Sequence, residues 1–220
     1  MKIPRIFHQI WLGRQPMPIE FLEWQKTWTN FNPGWDLKLW TEDNLFPTRW
    51  PDLVRKAHGY AHLSDIYRYE ILLREGGIYI DTDFECLKPI EPLIADREAF
   101  VALKNCHPTI INSAISGGVP SHPLFRQLVE DMGSANMEDK HSLGSPYLTS
   151  HVEKLSDLNA RKGLRLIPAS LMNPSAYEFH EERRYRKEDF PKAYCLHHWS
   201  SQWLPIGFAK LDLSAKETMP

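Results

Sequence analysis

Two adjacent glycines, a short apolar run and two acids follow one another in Gly76-Gly77-Ile78-Tyr79-Ile80-Asp81-Thr82-Asp83, and no other segment constrains the chain as strongly. A strand of that composition is covered on both faces, as in a parallel or mixed sheet. Carboxylates at its tip are costly unless a cation or hydrogen-bond donors meet them. The segment therefore predicts an α/β sheet with a cation site at its carboxyl edge, where open α/β sheets hold their ligands. The residues before it agree. Residues 61–75 have a helical period, with Ile66, Tyr69, Leu72 and Leu73 apolar, and the glycine pair ends that helix as a left-handed cap.

The rest of the chain reads as the same kind of alternation. Residues 5–11 alternate as a first strand, with Ile6, His8 and Ile10 on one side and Phe7, Gln9 and Trp11 on the other. Pro18 opens a helix carrying Phe21, Trp24, Trp28 and Phe31, and Asn32-Pro33-Gly34 stops it. A strand is expected over 35–40, a short helix from Pro51, and strands over 100–103 and 110–116. Ser121-His122-Pro123 and Ser145-Pro146 start helices that run to Met132 and Leu155, and 164–167 and 193–198 read as late strands. Such alternation predicts an α/β fold, a mixed sheet flanked by helices. A chain of 220 residues is enough for one domain, expected over 1–213, with 214–220 a frayed tail. The charged stretch 178–189 is expected to face solvent.

Composition removes several function classes. The formal net charge of −2 provides no basic field for nucleic acid. The three cysteines, Cys86, Cys106 and Cys195, show no C-x-x-C spacing, so neither a disulfide framework nor a thiolate metal site is expected. That usage fits a reducing compartment. The first residues form no signal peptide, and no apolar run reaches membrane-spanning length. A cytoplasmic protein is the expectation, with peripheral membrane contact left open. Phosphate-loop, dinucleotide-fold and zinc-protease motifs are absent from the sequence.

Three groups carry chemistry. Asp81 and Asp83 are two apart, so in an extended chain they share a face, and a bend at Thr82 also lets both approach one ion. Oxygen ligands of this kind suit Mg²⁺ or Mn²⁺. The second group is Asp65 and Arg68, three apart on one helix face. That helix returns through two glycines into the acid-tipped strand, so its early turns lie beside Asp81. An acid and a guanidinium there can exchange hydrogen bonds with a sugar. The third is His197-His198-Trp199 after the last strand, where an imidazole could complete a Mn²⁺ site. Two other readings compete. A haloacid-dehalogenase-type phosphohydrolase also places D-x-D at a strand end, but Glu85 stands where that motif wants Thr or Val. A non-catalytic carbohydrate-binding module would use the tryptophans and needs no acidic cluster.

At this point the residues resemble a known family. Ile3-Pro4-Arg5-Ile6-Phe7-His8-Gln9-Ile10-Trp11-Leu12-Gly13 is similar to its opening signature, and Ser64-Asp65-Ile66-Tyr67-Arg68-Tyr69 with the 76–83 segment is similar to its central one. It is the family of DXD-containing sugar transferases that includes bacterial capsular polysaccharide enzymes and fungal Golgi mannosyltransferases, with the clostridial glucosylating toxins as distant relatives. The resemblance implies a GT-A type, Rossmann-like fold with a mixed, mostly parallel sheet. It also implies a nucleotide-sugar donor (UDP favoured, GDP open), a glycan or glycolipid acceptor, Mn²⁺ or Mg²⁺, and retention at the anomeric carbon. By position it assigns Trp11 to the base, and Ser64, Asp65, Arg68 and Asn112 to the donor. Asp81 serves donor and metal, Asp83 ligates the metal, and His198 is a late metal ligand. Ser201 and Trp203 form a Ser-x-Trp element over the diphosphate. The set expected to act in catalysis is Asp65, Arg68, Asp81 and Trp203. Many relatives carry Gly-Pro where this chain has Ser145-Pro146.

Overall fold

The structure is a computed structural model that describes residues 2–105, 109–155, 161, 163–175 and 187–200. Strand β1 (Ile6–Ile10) is followed by helix α1 (Ile19–Phe31), β2 (Asp36–Trp40), α2 (Pro51–Lys56) and α3 (Tyr60–Glu75). Then come β3 (Gly77–Ile80), β4 (Phe84–Cys86), α4 (Glu91–Ile94), β5 (Ala99–Leu103), β6 (Ile111–Gly118) and α5 (Pro123–Asp131). The described chain closes with α6 (Ser145–Lys154), β7 (Leu164–Ile167), α7 (Ala169–Met172) and β8 (Cys195–His197).

Six strands form one sheet in the order β2-β1-β3-β6-β5-β7. β1 runs parallel to β2 and β3, β5 runs parallel to β7, and β6 alone is reversed against both neighbours. This is the mixed, mostly parallel α/β sheet the sequence predicts. Every residue of β3 is buried, because both faces of the sheet are covered. On one face Ile66, Tyr69 and Leu72 of α3 pack with Phe125 and Leu128 of α5 and Leu148 of α6. On the other, Phe7 stacks on Trp35 at 4.7 Å and meets the edge of Trp28 from α1 at 5.1 Å. Alternation along β3 divides it between the layers: Tyr79 joins the α3 side, Ile78 and Ile80 the α1 side.

The turn into β3 has to be glycine. Gly76 and Gly77 sit at φ +66° and +82°, a region that L side chains rarely occupy. A Cβ on Gly77 would stand 2.6 Å from Ile6 Cγ2 and 2.7 Å from the Ile6 carbonyl, so the missing side chain lets β3 close on β1.

The segment read as a late strand does form one, but outside the main sheet. β8 pairs with β4 in a separate two-stranded antiparallel ribbon. β4 has only three residues with a polar one at the centre, too short to show a period. Among the described residues no helix is long and apolar enough to cross a membrane.

Candidate active site

A cleft of about 1110 Å³ opens at the carboxyl ends of β1 and β3, walled by the first turns of α3 and α6. Trp11, Ser64, Asp65, Arg68, Asp81, Asp83 and Asn112 all line it. Ser201 and Trp203 lie outside the described residues.

Arg68 organises one end. It is buried, with Nη2 3.0 Å from Asp65 Oδ1 and 3.5 Å from Asp81 Oδ1. Nη1 donates to the Ser113 carbonyl at 2.6 Å and Nε to the Ser64 carbonyl at 3.3 Å. The guanidinium lies over the Tyr79 ring at 4.6 Å, and the Tyr79 hydroxyl donates to Asp81 Oδ1 at 2.7 Å. Burial opposes charge on Arg68, yet Tyr79, Asp65 and Asp81 hold the guanidinium firmly protonated. Burial pushes Asp65 up to about 6; the Arg68 charge pulls it down and Asp81 adds to the rise. Tyr79, raised by burial, stays a neutral donor.

Asp83 sits at the other end, at the start of the ribbon. Oδ1 is 3.1 Å from His197 Nε2, and Oδ2 accepts from the Ser200 amide at 2.9 Å and its hydroxyl at 3.1 Å. Burial works against the carboxylate, but His197 and Ser200 outweigh it and bring it to about 2. The His197 ring is clamped between Phe84 at 4.2 Å and Trp199 at 3.8 Å.

Ligating atoms of Asp81, Asp83 and His197 all lie within 4.8 Å of one another. Two carboxylates and an imidazole are a donor set suited to Mn²⁺ and less so to Mg²⁺. Among the described residues the buried His197 Nδ1 has no hydrogen-bond partner, and the contact the ring makes through a nitrogen is that of Nε2 with Asp83. The residues present fit a divalent cation.

The geometry corrects one expected ligand. His198 stays out of this cluster: its Nε2 is 3.2 Å from Glu85 Oε2, and its ring stacks on Trp24 at 3.9 Å with only 5° between the planes. Successive residues of a strand face opposite sides, and the register that pairs His197 with Phe84 turns His197 towards Asp83 and His198 away.

Asn112 is held by Oδ1, which accepts from the Ala114 amide at 3.0 Å, while Nδ2 is buried in the cleft wall and has no partner among the described residues. Trp11 is fixed by its Nε1, which donates to the Gln15 carbonyl at 2.7 Å. Several wall residues had no site role assigned from the sequence, namely Tyr79, Ser200, Gly144 and Ser145, and His197 was named only as the neighbour of His198. Tyr79 had a signal, since it is two residues before Asp81 and shares its face. Gly144 had none and Ser145 only its place where relatives carry Gly-Pro, because α6 reaches the cleft only through the tertiary fold.

A model of the glycosyltransferase sugar-binding region containing the DXD motif matches residues 18–100. An uncharacterized glycosyltransferase of Acanthamoeba polyphaga mimivirus is 28% identical over 92% of this chain and 84% of its own length. The chain is thus similar to glycosyltransferases of the DXD type. Inositol phosphoceramide mannosyltransferase 3 of Schizosaccharomyces pombe is 26% identical over 90% of this chain, which spans 60% of that relative. The fold of this chain is shared by solved structures. One is a glycosyltransferase involved in glycosylation of the major capsid of PBCV-1, with a TM-score of 0.52 and 12% identity over 90% of this chain and 95% of that one. The PaToxG glycosyltransferase has a TM-score of 0.54 and 15% identity, covering 73% of each chain. The GT-A expectation is therefore borne out.

Proposed function

We propose that the enzyme moves a hexose from a nucleotide-diphosphate donor, UDP-linked in preference to GDP-linked, to a hydroxyl of a glycan or glycolipid, with a divalent cation bound and with retention at the anomeric carbon. The observation that supports this best is the meeting in one cleft of the Asp81, Asp83 and His197 cluster with the Asp65–Arg68–Asp81 cluster. A glycolipid acceptor is in keeping with the fission-yeast relative, whose name specifies inositol phosphoceramide. The phosphohydrolase and binding-module readings have no counterpart among these relatives.

Asp81, Asp83 and His197 would hold Mn²⁺ or Mg²⁺, which when bound supplies positive charge for a leaving diphosphate. The chain's own groups do the rest. Arg68 is already engaged by Asp65, Asp81 and the Ser113 carbonyl, so it fixes both carboxylates. Asp65 and Asp81 then accept from sugar hydroxyls, and Asn112 Nδ2 donates to one. Trp11 offers a flat ring to the base. The resemblance alone carries Ser201 and Trp203, as donors to the diphosphate. Both carboxylates beside the sugar are tied to Arg68, which makes them poor nucleophiles and favours a front-face displacement. Growing charge would be met by oriented dipoles of the cleft.

Asp83→Asn tests the reading. The amide keeps the size of the side chain but removes an anionic ligand. Mn²⁺-dependent turnover of UDP- or GDP-sugars should fall to background, with the circular dichroism spectrum retained. Turnover close to that of the wild type refutes the metal role. A thermal-shift screen of UDP- and GDP-sugars with and without Mn²⁺ identifies the base, because ligands that bind the native state raise its apparent stability.

A further inference from the structure

The β4–β8 ribbon places two thiols opposite each other. Cys86 and Cys195 are register partners, both buried, and they share one core cluster with Phe84, Ile90 and Met172. The ribbon's hydrogen bonds show which kind of pair they make. The His198 amide donates to the Asp83 carbonyl at 2.9 Å, and the Leu87 amide to the Tyr194 carbonyl at 2.8 Å. Hydrogen-bonded and non-hydrogen-bonded pairs alternate along antiparallel strands. With Asp83 opposite His198 and Leu87 opposite Tyr194, the pair of Cys86 and Cys195 falls at a non-hydrogen-bonded position. The Cys86 amide accordingly donates elsewhere, to Thr27 Oγ1 at 2.8 Å. Cα atoms at such positions are about 4.5 Å apart, at the short end of the range a disulfide spans, about 4.4–6.8 Å.

We propose that Cys86 and Cys195 form a reversible cross-strand disulfide that staples the ribbon carrying Asp83 and His197. Its position gives it a consequence for the cleft. β4 begins at the residue after Asp83, and the next non-hydrogen-bonded pair along the ribbon is Phe84 with His197. A covalent link two register positions away keeps His197 in register beside Asp83 whenever the short ribbon opens. The proposal stands independently of which sugar or acceptor is used.

The chemistry needs a disulfide oxidant of low molecular weight, such as oxidised glutathione. One cysteine attacks it to give a mixed disulfide and release one thiol; the other cysteine then displaces the second. Two protons and two electrons leave the pair, and one oxidant disulfide becomes two thiols. Closing the bridge gives up two weak S–H bonds, from Cys86 to the Lys88 carbonyl at 3.2 Å and from Cys195 to the Met172 carbonyl at 3.0 Å. Both thiols are buried, so an oxidant reaches the pair only during folding or when the ribbon opens. A bridge at the short end of the span is also readily reduced.

The test uses the full chain with Cys106→Ser, and the wild type in parallel. Each is unfolded and refolded in a glutathione redox buffer, then mapped by intact mass and peptide digestion without reduction. The expected result is a loss of about 2 Da, a linked peptide pair containing Cys86 and Cys195, and a melting temperature about 5 °C or more above the reduced protein, because the bridge closes a long loop. Treatment with dithiothreitol should reverse both. The proposal is overturned if the refolded native protein carries free or glutathione-capped thiols at these two positions, if Cys106 takes either one in the wild type, or if the bridged form melts below the reduced form.

Discussion

His8 lies at the centre of β1 with no exposed surface. Its Nε2–H donates to the Gly76 carbonyl at 2.9 Å, and its Nδ1 accepts from Trp40 Nε1 at 3.2 Å. Both ring nitrogens are thus used by the neutral imidazole, and a second ring proton would face the Trp40 donor. Burial lowers its pKa from 6.5 to about 4, against smaller upward effects of Glu75 and the Gly76 carbonyl. The sign follows from proton counting. Between about 4 and 6.5 the unfolded chain binds the proton and the native one does not, so stability is full above 6.5 and falls as the pH drops. Linkage from pH 7.5 to pH 5.0 gives a loss of about 2 kcal/mol from this residue alone. Urea unfolding of the wild type and of His8→Gln at the two pH values isolates it, since His62, Asp65 and other titrating groups are common to both proteins. Gln keeps an N–H for Gly76 and cannot titrate. The variant should lose about 2 kcal/mol less than the wild type over the interval. Equal losses in the two proteins would show that His8 carries no such shift and that the β1–β3 junction is wetter than its geometry indicates.

Two further predictions concern the cleft. Tyr79→Phe removes the hydroxyl that donates to Asp81 at 2.7 Å. As one hydrogen bond to a carboxylate it should cost about tenfold in kcat; an unchanged kcat in steady-state assays would make Tyr79 a packing residue only. Gly144 has φ −83°, a value any residue adopts, so its backbone does not require glycine. A Cβ there would stand in ordinary contact 3.4 Å from the His141 carbonyl and 3.9 Å from Asp65 Oδ2, and Gly144→Ala should therefore narrow the space beside the donor-sugar carboxylate. Titration calorimetry should show weaker binding of the nucleotide sugar, by about tenfold, and unchanged binding of the bare nucleoside diphosphate. Equal losses for both ligands would move the sugar away from this wall.

What could be read from the sequence, and what could not, follows from how far apart in the chain the contacting residues are. The Asp65–Arg68–Asp81 cluster is local. From Asp65 to the end of α3 the helix climbs about 15 Å, and from Gly77 to Asp81 the strand returns about 13 Å. A two-glycine reversal therefore brings the two ends to the same height, and the apolar stripe of α3 decides which side faces the strand. The contact of 3.5 Å between Arg68 and Asp81 is the outcome of three local facts. The choice between His197 and His198 is of another kind. Both follow the same strand signal, and both are imidazoles. What separates them is the register of β8 on β4, a strand more than a hundred residues earlier that is too short to show a pattern. A slip of one residue would turn His198 to the aspartates and His197 outwards. That register is held by Trp28 Nε1, which donates to the Phe84 carbonyl at 2.9 Å, and by the Asn32 side chain, which contacts Cys86 Sγ and accepts from the Ile90 amide. None of these contacts leaves a trace in the spacing around the histidines. The part of the site that depends on one helix and one strand was therefore predictable, and the part that depends on a ribbon closed across about half of the chain had to be seen.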